Sequence, residues 1–398
     1  MNEETKRFIT EHEQDDIYLL SLQSRRYNNI DFEFAIRQIN GRQKIRNKVP
    51  RFFQNEEIQY PVQLSLEQSS SEITAQYKAS FCEGNSLVDL TGGFGVDCCF
   101  MSAHFKQVTY VELQTELCKL SSHNFKVLNE NHIEVVNALT EEYLSKMEPV
   151  DWIFIDPARR STSGKKVVLL SDCEPDVSVL SSQLLNKATN VMIKLSPMMD
   201  ITAAVRDLPK TSEIHIIAVE NECKEILLIL SKNAEQKSQV KTINFSKNKK
   251  IQLFEFETND EVNASSVLTS EIQKYLYEPN AAVMKSGAFK LIGNRFGIYK
   301  LHINTHLYTS NELLPEFPGR VFEVVKTWSN SNIEMKDMAK HLPKANISTR
   351  NYPLSVEELR KKLKIKDGGD IYLFACILAN EEKVIIECKK STLNEDCG

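Results

Sequence analysis

Ser86-Leu-Val-Asp-Leu-Thr-Gly-Gly-Phe-Gly-Val-Asp-Cys98 decides how the rest of the chain is read. Its apolar run, residues 87–90, stops at Thr91-Gly-Gly-Phe-Gly95, and an amphipathic segment follows at once. The pattern is a buried strand, a tight glycine turn and a helix start. Glycine admits positive φ and lets a ligand come close to the backbone. Free N–H groups at a new helix end face polar or anionic groups. Early in an α/β unit, such a turn points to a nucleotide-like cofactor; a plain strand-to-helix turn is the alternative.

Downstream, from about residue 86 to 235, short apolar runs alternate with helical segments. Strands are expected at 87–90, 107–111, 133–136, 152–155, 190–194, 214–219 and 226–230, with helices such as 95–104 and 116–128 between them. Alternation of this kind implies a doubly wound α/β sheet with ligand sites at the carboxyl ends of its strands. Only Glu220-Asn-Glu-Cys-Lys-Glu225 separates the last two runs, too little for a parallel crossover. An antiparallel hairpin at the sheet edge is therefore expected. Further strands are expected at 242–245 and 251–256, around Lys247-Asn-Lys-Lys250.

The flanks differ. Residues 1–80 carry apolar residues at helical spacing, punctuated by Pro50 and Pro61. Beyond a polar stretch at 259–270 lies a small α+β region, with a helix expected at 355–363 and apolar runs at 371–378 and 383–386. A length of 398 residues calls for two or three domains, and 41% hydrophobic residues suffice for real cores. A net charge of −5 does not suggest a globally basic nucleic-acid binder. No apolar run approaches membrane-spanning length, and Met1-Asn-Glu-Glu-Thr-Lys-Arg7 has no signal core, so a soluble cytoplasmic protein is expected. The nine cysteines form no C-x-x-C pair, which argues against a metal site and for small core hydrophobes.

The candidate site residues follow from the strand ends. Asp89 opens the glycine turn. Gly93 and Gly95 fill the first two positions of a G-x-G-x-x-G fingerprint, but Cys98 stands at the third. NAD is thereby disfavoured, and an adenosyl ligand without a pyrophosphate fits better. Glu112 ends the second strand at the spacing of a ribose-binding acid. Asn137 follows the third, either to meet an adenine edge or to cap a turn. In Ile153-Phe-Ile-Asp-Pro-Ala-Arg-Arg160 an apolar strand runs into Asp156-Pro157, where proline halts the ladder and stiffens the turn. Asp156 then faces the crevice at the mouth of the first and fourth strands, unless it is an ordinary turn residue. Arg159 and Arg160 meet phosphates or a base plane, or else pair with Asp172, Glu174 and Asp176. Lys194, ending the fifth strand, faces substrate or is a solvated strand end.

Together these residues resemble the class I S-adenosylmethionine (SAM)-dependent methyltransferases. Asp89-Leu-Thr-Gly-Gly-Phe-Gly95 is similar to the family's first motif, with Thr91 in place of its first glycine, a variant that looks like the one in some ribosomal RNA guanine-N2 methyltransferases. Glu112 matches the ribose-binding acid. Asp156-Pro-Ala-Arg159 matches the fourth motif in part: amine-directed members carry Asp/Asn-Pro-Pro-aromatic, and Ala158 and Arg159 replace the second proline and the aromatic. The whole chain resembles bacterial methyltransferases with a THUMP-like tail. Leu64-Ser-Leu-Glu-Gln-Ser-Ser-Ser-Glu72, Ile155-Asp-Pro-Ala-Arg-Arg160, Lys194-Leu-Ser-Pro197, Glu278-Pro-Asn-Ala-Ala282 and Arg350-Asn-Tyr-Pro-Leu354 carry that match.

The resemblance implies a Rossmann-like, seven-stranded methyltransferase sheet. Its expected divisions are a helical part (1–80), the methyltransferase core (81–270), a ferredoxin-like segment (271–325) and a THUMP-like domain (326–398). It implies SAM as cofactor, held by Asp89, Thr91, Gly92, Gly93, Phe94, Gly95, Glu112 and Asn137. Asp156 and the Pro157 carbonyl are then catalytic, and Arg159, Arg160 and Lys194 bind substrate. Because THUMP domains bind RNA, the implied partner is RNA, ribosomal or transfer, methylated on an exocyclic amine. Two basic clusters supply positive potential, the first between residues 25 and 51 with Tyr27, Phe52 and Phe53 as aromatics, the second Arg360-Lys-Lys-Leu-Lys-Ile-Lys366. C5 methylation of a pyrimidine needs a cysteine nucleophile, for which Cys173 is nearest in sequence. The rival readings are a methyltransferase of protein or small molecules, and a non-catalytic RNA-binding module with a relic SAM site.

Overall fold

The computed structural model describes residues 2–27, 29–159, 169–234, 237–247 and 250–391. The chain divides into two compact units, Met1–Thr211 with Leu228–Ala234, and Ser212–Leu227 with Glu235–Gly398.

In the first unit five parallel strands are built from the expected runs: β1 (Gly84–Asp89), β2 (Phe105–Glu112), β3 (Ile133–Asn137), β4 (Val150–Ile155) and β5 (Ala188–Leu195). Their order is β5-β4-β1-β2-β3, so the winding reverses between β1 and β4. Ligand crevices form at such a reversal, outside the carboxyl ends of the strands. Leu87, Val88, Ile153, Ile155, Val191 and Ile193 are all buried, as parallel strands covered on both faces require. The helices Val96–Met101 and Thr115–Val127 follow β1 and β2.

Residues 1–80 are helical, but they are not a separate body. The helices Phe32–Ile45 and Glu72–Ala79 belong to the same unit as β1–β5. The second starts at Ser71, whose hydroxyl accepts the Thr74 N–H, and buries Thr74, Ala75, Lys78 and Ala79. Fully burying a lysine on that face demands partners inside the core. Part of the first basic cluster is bonded within the fold. Arg42 pairs with Glu13, Lys44 with Glu67 and Arg51 with Glu130, while Lys48 donates to the Leu66 and Glu67 carbonyls. Phe52 is buried against Phe94 and presents no face to a base, while the partly buried Tyr27 stacks on Phe32.

The remaining strands expected in the sheet are β6 (Thr211–Val219) and β7 (Glu222–Ser231), neighbours across a turn in which Glu220 and Asn221 both take positive φ. The sequence places this hairpin at a sheet edge; the structure does not. β8 (Gln239–Phe245) pairs in parallel with β6, and β9 (Ile251–Glu257) pairs antiparallel with β8. The apolar run Ile214, Ile216, Ile217 and Ala218 already marks β6 as an interior strand.

Residues 275–390 of the second unit form a seven-stranded sheet in the order β11-β12-β10-β13-β16-β15-β14. Its strands are β10 (Tyr275–Pro279), β11 (Tyr299–Lys300), β12 (Tyr308–Ser310), β13 (Gly319–Ser329), β14 (Asn346–Arg350), β15 (Ile371–Ile377) and β16 (Lys383–Lys390). The expected helix appears as Val356–Leu363, with a Ser355–Glu358 capping box. It packs Leu359 and Leu363 with Met335, Met338, Ile347 and Leu373. β13 runs unbroken through the 325/326 boundary expected from sequence, so that division cuts a strand rather than a linker. Glu278, 2% exposed at the end of β10, accepts hydrogen bonds from Arg320 of β13 and from Arg350 of β14, the latter at 2.7 Å. The motifs around Glu278 and Arg350 are thus joined by one ion pair.

Candidate functional site at the carboxyl ends of β1 and β4

β1 delivers Asp89 into the interior, 1% exposed, where its Oδ1 accepts the Thr91 N–H at 3.0 Å. Burial pushes the Asp89 carboxyl well above its ordinary range, and the nearby Asp97 and Asp156 add to the rise against the Thr91 N–H and Lys194. The glycines of the turn divide the labour. A Cβ on Gly92 would meet the Tyr110 ring at 2.1 Å, and one on Gly95 the Phe125 ring at 2.9 Å. Both are packing glycines. At Gly93, φ is +57° and the nearest atom to a Cβ is the Thr91 carbonyl oxygen at 3.8 Å. The backbone there borders open space, as a cradle for a bound ligand requires. Phe94 points inward onto Phe52 and Tyr60 and anchors the turn.

Glu112 closes the neighbouring strand and grips the turn. One of its carboxylate oxygens accepts the Gly93 N–H at 2.9 Å and the other accepts the Gln114 N–H at 2.7 Å. A carboxylate oxygen has a second lone pair to receive a hydroxyl. Asn137 is placed beside it as a brace: its amide donates to the Glu112 and Leu113 carbonyls and accepts from the Thr115 hydroxyl.

Thr91 and Asp156 meet directly. The Asp156 N–H donates to Thr91 Oγ1 at 2.6 Å, a bond that glycine at position 91 does not offer. The departure from the family's usual first glycine therefore ties the first motif to the fourth. Pro157 is buried, and Ala158 and Arg159 form a two-residue ladder with Glu174 and Cys173. The ladder brings Cys173 opposite Arg159 although the two are distant in sequence. That thiol is 3% exposed, which disfavours it as a nucleophile toward a base. Arg160 lies outside the described residues.

Lys194 is no solvated strand end. Its side chain is 10% exposed and its ammonium lies 2.5 Å from Asp156 Oδ2, 3.2 Å from Asp97 Oδ2 and 3.1 Å from Ser70 Oγ. Lys78, fully buried, approaches Asp97 Oδ1 at 3.2 Å and donates to Ser70 Oγ at 3.3 Å. Ser70 in turn donates to Asp97 Oδ2 at 2.7 Å. Burial opposes the charge on Asp97, but Lys194, Lys78 and the Ser70 hydroxyl outweigh it and hold its carboxyl at about 2.

Sequence reasoning missed Ser70, Lys78 and Asp97. The signals were present: a lysine four residues after Thr74 on the buried helix face, an acid two residues past the last turn glycine, and a triple serine inside a stretch already singled out. Among the described residues no cluster of acids, histidines and cysteines has metal-binding geometry, and no helix is long and apolar enough to cross a membrane.

Comparison with known proteins gives three findings. Family models match a ferredoxin-like domain at residues 275–318 and a THUMP domain-like region at 319–390. Proteins of Mycobacterium tuberculosis strains CDC 1551 and H37Rv, each named "uncharacterized S-adenosylmethionine-dependent methyltransferase", are 20% identical over 308 residues, covering 76% of this chain and 80% of theirs. The crystal structure of a "putative methyltransferase" from Porphyromonas gingivalis W83 is 34% identical, covers 98% of this chain and 99% of its own, and superposes with a TM-score of 0.88.

Proposed function

We propose, from the premise that this chain belongs to the family of SAM-dependent methyltransferases with ferredoxin-like and THUMP-like C-terminal domains, that it methylates an exocyclic amine of a base in structured RNA. The observation that carries the reading is the Asp156–Thr91 hydrogen bond, which sets the Asp-Pro turn beside the glycine turn at the winding reversal.

The open backbone at Gly93 and the Glu112 carboxylate fit a bound nucleoside, and Asp89, Thr91, Gly92, Gly95 and Asn137 shape the turn around it. SAM, when bound, supplies a methyl group already activated by its sulfonium. The protein's share of the work is alignment, because a correctly placed nucleophile recovers most of the entropic cost of the encounter. Asp156 and the Pro157 carbonyl accept N–H bonds from the amine and turn its lone pair toward the donor. A paired base has to leave its stack to reach them.

Support for RNA as substrate comes from the THUMP-like match and from the second basic cluster. Lys361, Lys362, Lys364 and Lys366 are exposed, while Leu363 and Ile365 between them are buried. Mass spectrometry of nucleosides in total RNA tests the reading. A deletion strain is expected to lack one methylated nucleoside that its parent contains. Identical nucleoside profiles, with methyl groups missing instead from a protein or metabolite, would overturn it.

A further inference from the structure

We propose that Lys78, from the N-terminal helices, is a positioning residue for methyl transfer: through Asp97 and Ser70 it holds the Lys194 ammonium against Asp156, and so sets the aim and charge of the carboxylate that meets the substrate. The inference rests on the reading of Asp156 given above.

The geometry is a chain of alternating charge. Asp97 offers one oxygen to each ammonium, Lys78 at 3.2 Å and Lys194 at 3.2 Å. Ser70 bridges all three, accepting from both lysines and donating to Asp97. Lys194 then reaches Asp156 at 2.5 Å. Four elements contribute: the Glu72–Ala79 helix, the Val96–Met101 helix, β5 and the end of β4. Asp89 on β1 also faces the group and influences both Asp97 and Asp156.

Stability alone is a poor reason for such a cluster. Buried ion pairs replaced by well-packed hydrocarbon are often neutral or more stable, because desolvation offsets the Coulomb gain. Lys78 is 0% exposed, so its charge acts from within the core. With Lys78 present, Asp97 is shared between two cations and its pull on Lys194 is divided. Without it, the full pull of Asp97 falls on Lys194 and draws it away from Asp156. A nearby cation stabilises a carboxylate in its ionised form. Weakening that cation raises the pH at which Asp156 loses its proton.

The experiment uses the full-length protein with total RNA from a strain lacking it as methyl acceptor. The kcat of methyl transfer is followed against pH, and binding of the demethylated donor product, S-adenosylhomocysteine, is followed by calorimetry. Lys78→Met is expected to lower kcat roughly tenfold or more, to leave product affinity within about twofold, and to move the acid limb of the profile upward. Lys78→Arg, which keeps the charge, should restore the limb. An unchanged kcat and profile in Lys78→Met would overturn the proposal. Should that variant fail to fold, Ser70→Ala removes the bridging hydroxyl and should give the same shift in smaller degree; an unmoved profile there overturns it equally. Asp156→Ala separates the two claims. Full turnover by Asp156→Ala removes the reading of Asp156 itself. Loss of turnover there, with Lys78 variants indistinguishable from wild type, removes only the relay.

Discussion

Lys194 Nζ lies 2.5 Å from Asp156 Oδ2, one residue beyond the paired positions Ile155 and Ile193 of adjacent parallel strands. The register itself therefore sets the ion pair, since neighbouring residues in matched strands project from the same point of the sheet. A carboxylate held in place by such a pair is suited to accept a hydrogen bond from an amine and hold it in one orientation.

Alanine at two adjacent glycines should separate packing from ligand approach. Gly92→Ala places a methyl 2.1 Å from the Tyr110 ring and should cost about 1–3 kcal/mol, read as a fall in Tm of several degrees. Gly93→Ala meets no such wall and costs only its positive φ, about 1 kcal/mol. Its main effect should be on S-adenosylhomocysteine affinity, weakened by roughly tenfold in calorimetry as the methyl enters the approach to the backbone. Equal loss of Tm in both variants would contradict the division of roles.

The two buried acids should give stability opposite dependences on pH. Asp97 is held at about 2, below its unfolded value near 4, so its contribution is complete above about pH 4 and is lost as pH falls toward 2. Asp89 is shifted upward by burial, so the folded chain retains its proton more tightly and Asp89 costs stability as pH rises above about 4. Asp89→Asn keeps the acceptor for the Thr91 N–H. It should raise Tm relative to wild type at pH 7 and change it little at pH 4. Thermal melts at the two pH values decide the point, and an equal change at both would contradict the assignment.

Glu278→Ala should loosen the C-terminal sheet. It removes the shared acceptor of Arg320 and Arg350, whose side chains are 40% and 37% exposed. Solvent compensates those cations in part, so the loss should be about 2 kcal/mol rather than the larger cost of opening a fully buried pair. Chemical denaturation monitored at Trp328, on β13, measures it.

Positive charge should matter to RNA at one cluster and not at the other. Replacing exposed Lys361, Lys362 and Lys364 by alanine should weaken binding to total RNA and reduce the salt dependence of log K by about 2–3. Arg42, Lys44 and Lys48 are already bonded within the fold. Replacing them should show up in Tm first. A protein or small-molecule methyltransferase would display no salt-dependent RNA binding in either case.

Much of the fold was legible because parallel strands buried on both faces read as continuous apolar runs. Runs such as 87–90, 152–155 and 190–194 became β1, β4 and β5, each longer by a few residues than its apolar kernel. β13 was not legible: Gly319-Arg-Val-Phe-Glu-Val-Val-Lys-Thr-Trp-Ser329 carries charges along a half-exposed strand and has a register shift between Val324 and Lys326. The glycine turn and the Asp-Pro turn announce themselves through residues with few other uses. Lys78, Asp97 and Ser70 do not, because a lysine or serine in a helical segment reads as surface until the packing shows which face turns inward. The internal bonds of the first basic cluster were hidden for the converse reason. Its partners Glu13, Glu67 and Glu130 lie far away in sequence, and charge counting within a window cannot see them.

The central claim is that Asp156 presents the acceptor amine to a methyl donor seated at the glycine turn. Transfer of isotope-labelled methyl from SAM to total RNA of a strain lacking the protein, run side by side with wild type and Asp156→Ala, tests it most directly. The account predicts label in one nucleoside with wild type and a loss of at least about a hundredfold in the variant, which still binds S-adenosylhomocysteine. Labelling by Asp156→Ala at the wild-type rate would contradict it.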